Sequence, residues 1–305
     1  MIEVSVVIPY NGSSYFDECL DSIRLSDIHL FDFEILIIIP KNFEYNPKVD
    51  LNCRVVNQDG VGLANALNLG LKLSRGEFIF RIDADDLCSS NRFSLQINAL
   101  RASPNLIAVG GQLDKFYLNE KLQRVQYPIT KNLVRSLLPY LSPIPHPGLV
   151  FKRKAIELGT KYDEGLSFCE DWDFIFQLSR IGDLNNVVDV VGSYRVHENQ
   201  MSNDIELVEK YSVVVLKKNL PKSTFYGKYK LDKFPLKTFS SHQSNYYVRL
   251  YVARTRIKRS FNISNCAYLS YALCCSPLKF FTTFYLYAFF VLQKLFLKYQ
   301  IKLQT

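Results

Sequence analysis

The feature that most limits the fold is a repeated pairing of short, β-rich apolar runs with segments of helical periodicity. Residues 4–8 form an apolar run stopped by Pro9, Asn11 and Gly12. Residues 15–28 follow, with Phe16, Cys19, Leu20 and Ile23 at helical spacing. Residues 33–39, 53–56 and 78–82 read as further buried strands, and residues 64–73 as a helix. Runs this uniformly apolar suit strands covered on both faces, which requires helices packed over a mostly parallel sheet. The expected fold class is therefore α/β, a mostly parallel central sheet with flanking helices. Open sheets of this kind bind ligands beyond the carboxyl ends of their strands. The Pro9-Tyr10-Asn11-Gly12 loop and the acidic stretch after Ile82 both fall there. Past residues 107–111 the pattern loosens. Residues 116–127 suit a strand pair, 131–138 a short helix, 142–148 a proline-rich loop, 172–178 a helix, 187–191 a strand and 205–216 a helix.

Charge is divided unevenly along the chain. The 305 residues carry a formal net charge of +8, yet from Lys233 to Thr305 there is no Asp or Glu and there are 11 Lys or Arg. Residues 1–232 hold 26 basic and 29 acidic side chains, a net of −3. The basicity belongs to the tail and does not make the main body a nucleic-acid binder; no recognition motif for nucleic acid accompanies it. The seven cysteines form neither a paired framework nor a metal-ligand spacing. Cys19, Cys53, Cys88 and Cys169 read as small apolar or loop residues of a reduced intracellular protein.

The densest chemistry is Arg81-Ile82-Asp83-Ala84-Asp85-Asp86. Three carboxylates in four positions repel one another and are costly to bury without cations or hydrogen bonds. A divalent ion relieves that repulsion, and an all-oxygen site suits Mg²⁺ or Mn²⁺. Asp83 and Asp85 alternate on extended backbone and can face one side, with Asp86 as a further ligand or a loop cap. The same acids also suit a solvated loop. Glu170-Asp171-Trp172-Asp173 opens a helix, where acids commonly act as electrostatic caps. Arg195-Val196-His197 follows a β-like run, with Gln200 and Ser202 nearby. His146, in Pro145-His146-Pro147-Gly148, suits a compact loop or an acceptor channel. Trp172 either stacks on a sugar or packs beneath Asp171. The Tyr10 ring and Asn11 amide can cradle a base and ribose, or simply form a turn.

Three segments carry a resemblance. They are Val4-Ser5-Val6-Val7-Ile8-Pro9-Tyr10-Asn11, Gly62-Leu63-Ala64-Asn65-Ala66-Leu67-Asn68-Leu69-Gly70, and Gly76-Glu77-Phe78-Ile79-Phe80-Arg81-Ile82-Asp83-Ala84-Asp85-Asp86, continued by Arg92-Phe93 and Gln96. Over roughly residues 3–200 the chain resembles family 2 glycosyltransferases with the GT-A fold, among them enzymes of bacterial surface polysaccharides such as capsule and lipopolysaccharide. The resemblance implies a nucleotide-diphospho-sugar donor, with a UDP-sugar favoured, and Mn²⁺ or Mg²⁺ held by Asp83 and Asp85. It places Pro9, Tyr10 and Asn11 at the donor nucleotide, Asp83 and Arg195 at its diphosphate, and His197 in the metal shell. It makes Asp171 the general base, supported by Glu170, in an inverting transfer to a glycan or lipid-linked glycan hydroxyl. Two positions depart from the family pattern. Ile39-Pro40-Lys41-Asn42 lacks the acid that many relatives carry after their second strand, and Leu67 stands where an arginine is frequent. A nucleotide-sugar pyrophosphorylase and an inactive glycan-binding scaffold are the alternatives. Against the first, the opening loop lacks a glycine-rich basic phosphate-binding segment.

The expected organisation is a catalytic domain over residues 1–220, with a donor half at about 1–110 and an acceptor half at about 111–220. A basic, aromatic, helical extension follows at 221–305. Its apolar stretches fall short of the roughly 20-residue span needed to cross hydrocarbon. They suit helices lying at an anionic membrane surface, with lysines reaching the headgroups, or packing against protein. The expected location is cytoplasmic, peripheral on the inner face of the membrane.

Overall fold

The computed structural model describes residues 2–49, 51–117, 120–139, 141–197 and 204–219. The extension at 221–305 lies outside them, as do Gln200 and Ser202. In chain order the elements are β1 (Val4–Pro9), α1 (Phe16–Arg24), a 3-10 turn (Asp27–Leu30), β2 (Phe33–Ile39), β3 (Cys53–Asn57), α2 (Leu63–Leu73), β4 (Phe78–Arg81), β5 (Leu87–Cys88) and α3 (Arg92–Ala102). There follow β6 (Leu106–Tyr117), β7 (Glu120–Val125), α4 (Lys131–Leu137), β8 (Val150–Lys152), α5 (Lys154–Glu157), α6 (Glu170–Ile181), β9 (Asp183–Arg195) and α7 (Ile205–Asn219). The described residues fall into two units, one holding 2–134 and 142–197, the other 135–141 and 204–219. The whole sheet belongs to the first. Among the described residues no helix is long and apolar enough to cross a membrane.

The sheet runs β3-β2-β1-β4-β8-β6-β9-β5, with β7 paired to β6. Strands β3, β2, β1 and β4 are mutually parallel, so the expected parallel α/β architecture is present. The remainder is mixed: β8 runs antiparallel to β4 and β6, β9 parallel to β6, and β5 antiparallel to β9. Strands β5 and β8 are too short for a periodicity to reveal them. Because β1 leads to β2 on one side and neighbours β4 on the other, chain direction diverges between β1 and β4. A crevice opens beyond the carboxyl ends of strands at such a switch point.

Alternate residues explain the two faces. Val4, Val6 and Ile8 of β1, Ile35, Ile37 and Ile39 of β2, and Phe78 and Phe80 of β4 share one buried cluster with Phe16, Leu20 and Ile23 of α1 and Phe93, Ile97 and Leu100 of α3. Each fully buried side chain of this size contributes about 1.5–3 kcal/mol. Helix α3 escapes a reading by hydrophobic period because Arg92 and Gln96 are as deeply buried as its apolar residues. Arg92 donates to the Arg81 carbonyl at 2.9 Å, and Gln96 to the Gly148 carbonyl at 2.8 Å. The opposite face receives α2. A β-carbon on its Gly70 would lie 2.3 Å from a Val7 methyl, which shows how closely helix and strand approach.

A polar clamp aligns β4 with β1. Buried Glu34 accepts from Ser5 Oγ at 2.7 Å, the Arg75 amide at 2.7 Å and Arg75 Nε at 2.9 Å. Burial raises its carboxyl pKa, but these bonds outweigh burial and hold it below the ordinary value. The Gly76 amide donates to the same Ser5 hydroxyl at 2.8 Å. A β-carbon on Gly76 would sit 2.4 Å from the Ser5 nitrogen, a backbone atom that cannot swing aside. Gly76→Ala therefore should cost about 1–3 kcal/mol, in the range of an overpacked interior site. Urea unfolding monitored by circular dichroism checks this, and an unchanged midpoint would refute the clamp.

Candidate active site

Strand β4 delivers the acids. Its last amide, on Arg81, donates to the Leu149 carbonyl at 3.0 Å. Ile82 and Ala84 then turn into the core, while the alternating Asp83 and Asp85 are left partly exposed. One side-chain oxygen from each of Asp83, Asp85 and Asp86 lies within 4.8 Å of the others. Asp86 is buried; its Oδ1 accepts the Arg195 amide at 2.9 Å, while Oδ2 is buried with no hydrogen-bond partner. Burial raises the Asp83 carboxyl against the opposing Arg81 charge, and Asp85 adds to the rise. Burial, then Asp83 and Asp85, push Asp86 well above the carboxylate range. Crowded oxygens with an orphaned buried acceptor among them fit a hard divalent cation.

Positive groups converge on this turn. Arg81, itself buried, pairs through both terminal nitrogens with both Asp83 oxygens. Arg195 donates from Nε to the Asp85 carbonyl at 2.8 Å and from a terminal nitrogen to Glu18 at 2.6 Å. Its guanidinium lies 4.0 Å from the Tyr15 ring centroid and 4.4 Å from that of Phe116. This geometry makes Arg195 a brace for the acidic turn. His197 Nε2 is 2.8 Å from Asp85 Oδ2, at the edge of the carboxylate group.

The second acidic pair opens α6. Cys169, just before it, has a φ of 60°, a left-handed conformation uncommon for a residue with a β-carbon. Glu170 is buried, and burial followed by the Asp171 charge raises its pKa to about 8. Asp171 remains partly exposed and stands near enough to press electrostatically on Asp83 and on Tyr162. The two acidic segments, 87 positions apart in the chain from Asp83 to Glu170, therefore share one locality. Buried Tyr162 stacks on Phe174 at 4.1 Å and lies 2.8 Å, by its hydroxyl, from His146 Nε2. Burial and then Arg81 lower the His146 pKa well below its usual value, so the ring is neutral. Trp172 is buried and stacks on Phe176 at 5.9 Å, which assigns it to packing.

Beyond β1, the Tyr10 ring stacks on Phe16 at 4.3 Å and meets Tyr45 at 4.8 Å. Pro9 is partly exposed and Asn11 exposed beyond the end of β1. The segment after β2 is tied down by Asn57, whose amide donates to the carbonyls of Pro40 at 3.1 Å and Phe43 at 2.9 Å. Leu67 is fully buried.

Three contributors were not assigned a role from the sequence. Tyr162 had no local motif. Asn68 both accepts from the Tyr162 amide at 2.8 Å and donates to Glu164 at 2.8 Å, anchoring that loop to α2. Arg81 carried the one available signal, a charged residue ending an otherwise apolar strand.

The sequence model described as Glycosyl transferase family 2 matches residues 5–159. An uncharacterised glycosyltransferase of Rickettsia typhi is 26% identical over 234 residues, covering 69% of this chain and 70% of its own. The Staphylococcus aureus TarS 1-349 structure in complex with UDP-GlcNAc aligns with a TM-score of 0.54 at 15% identity, over 85% of this chain and 83% of that one. The Pyrobaculum calidifontis mannosyltransferase PcManGT, in complex with GDP-Man and Mn²⁺, aligns with a TM-score of 0.56 at 19% identity, over 94% and 85%. The fold is thus that of the GT-A nucleotide-sugar transferases. The chain belongs to glycosyl transferase family 2 and is a glycosyltransferase.

The buried Glu170 gives a pH signature. Its folded pKa of about 8 stands above the ordinary glutamate value of 4.5, so the folded state binds the proton more tightly than the unfolded chain does. Below about pH 4.5 this group costs no stability; the penalty grows as pH rises toward 8 and is constant above. Glu170→Gln should therefore gain stability relative to the parent progressively from pH 5 to 8. Urea midpoints of both proteins across that range test it, and parallel pH profiles would contradict it.

Proposed function

We propose that the protein transfers a sugar, with inversion, from a nucleotide-diphosphate donor to a hydroxyl of a glycan or lipid-linked glycan, using a divalent cation. The observation that carries this reading is the convergence of Asp83, Asp85 and Asp86 beside the Glu170–Asp171 pair at a strand-end crevice. Asp83 and Asp85 would hold Mn²⁺ or Mg²⁺, with Asp86 and His197 completing or bracing the shell. When bound, the cation offsets the charge that develops on the departing diphosphate. The Pro9-Tyr10-Asn11 loop receives the nucleotide, and Arg195 supports the diphosphate side through the acidic turn. A UDP-sugar is the donor we favour on the family resemblance; the same fold elsewhere accommodates both UDP-GlcNAc and GDP-Man.

Asp171 takes the proton from the acceptor hydroxyl as its oxygen bonds to the anomeric carbon. The bond from that carbon to the donor phosphate oxygen breaks with its electron pair leaving on the nucleoside diphosphate. Glu170 retains its proton at neutral pH because of its burial, which leaves the base role to Asp171. The proposed location is peripheral, on the inner membrane face, and rests on the basic aromatic sequence of residues 221–305. Liposome flotation of the full chain on anionic and neutral vesicles tests this part, with equal recovery on both counting against it.

Asp171→Asn should retain donor binding while transfer falls by about 10²-fold or more, the usual worth of a positioned base. Asp83→Asn and Asp85→Asn should lose turnover along with the response to added Mn²⁺. Nucleotide-sugar turnover with EDTA and metal re-addition, beside donor titrations by calorimetry, separates these effects. Full transfer in EDTA would refute the cation reading, and near-parental transfer by Asp171→Asn would refute the base.

A further inference from the structure

Arg81 is held more firmly than a strand residue needs to be. Its amide donates to Leu149 and its carbonyl accepts from Arg92, so both backbone polar groups are fixed. Its side chain is 4% exposed, and Nε has no hydrogen-bond partner. Both terminal nitrogens are instead committed to Asp83. A guanidinium anchored in this way cannot follow the carboxylate if it turns. Asp85 and Asp86 have different partners: His197 touches the side chain of Asp85, and the Arg195 amide holds Asp86.

We propose that Arg81 is a positioning residue that occupies Asp83 in place of the divalent cation, so that guanidinium and cation compete for one carboxylate. The inference rests on the reading of Asp83, Asp85 and Asp86 as the cation site. A cation reaching Asp83 competes for the lone pairs of two oxygens that both already accept from Arg81, and it meets a like charge while doing so. The fixed charge keeps the three carboxylates together before the cation arrives. It also makes the free cation a weak ligand. Firm binding then requires the donor diphosphate, whose negative charge offsets the repulsion between guanidinium and metal.

The test is Mn²⁺ titration of the full chain without donor, read by loss of the free Mn²⁺ signal in electron paramagnetic resonance. Arg81→Gln removes the competitor and should lower the Mn²⁺ Kd by about 10-fold. Arg81→Lys keeps the charge but can hold fewer carboxylate oxygens, and should lower it by about threefold. The metal-induced rise in melting temperature should increase in the same order. A purely structural arginine would lower melting temperature in both variants without tightening Mn²⁺ binding. If Arg81→Gln fails to fold, Arg81→Lys alone decides between tighter binding and an unchanged or weaker Kd, which would overturn the proposal. Parent protein that binds no Mn²⁺ would overturn the cation site itself. Parent that binds while neither variant tightens would overturn only the role of Arg81.

Discussion

Three carboxylates within one four-residue turn cannot share a largely buried strand end unless positive charge reaches them. The surrounding architecture meets that constraint from several directions. Arg81 arrives from β4 itself and Arg195 from the end of β9, while two residues later a His197 ring nitrogen reaches the Asp85 carboxylate. The routes differ in kind. Arg81 engages a side-chain carboxylate, whereas Arg195 fixes the Asp85 main chain and, through its amide, the Asp86 side chain. Shape and charge are therefore controlled separately, and one oxygen of Asp86 is still left without a partner.

This division explains how much of the site could be read from the sequence. Strands β1, β2 and β4 announce themselves because both faces are apolar, and the loops at their ends follow from that. The acids were legible because they are consecutive. Arg195 and His197 were reached through the family resemblance, but their contacts were not, since Arg195 meets the Asp85 carbonyl across 110 positions and Glu18 across 177. Helix α3 hides for a related reason. Arg92 and Gln96 occupy interior positions to satisfy carbonyls around the strand ends, so an interior-facing surface reads as polar. The antiparallel β5 and β8 hide through brevity alone.

Around the loops that follow β1 and β2, packing and hydrogen bonds hold the chain. After the second strand this chain has Pro40, Lys41 and Asn42, held through Asn57. Asn42 takes a φ of 67° there, a conformation asparagine tolerates better than most residues. Beside it Tyr10, Phe16, Phe43 and Tyr45 form an aromatic group. Tyr45 donates its hydroxyl to Asp17 at 3.1 Å, so the polar edge of this group is fixed from α1.

At the start of α6 two neighbouring acids stand in different surroundings. Glu170 and Asp171 are adjacent, yet the helix start separates their surroundings: one is buried and the other partly exposed. Burial, reinforced by the neighbouring charge, keeps the proton on Glu170. Tyr162 and neutral His146 close the interior side without adding charge. Arg81 lies close enough to act electrostatically on Glu170, Tyr162 and His146 while it grips Asp83. The two acidic segments are consequently not independent sites. A change of charge at Arg81 reaches the cation side directly and the base side through space, which ties the two halves of the proposed reaction to a single fixed side chain.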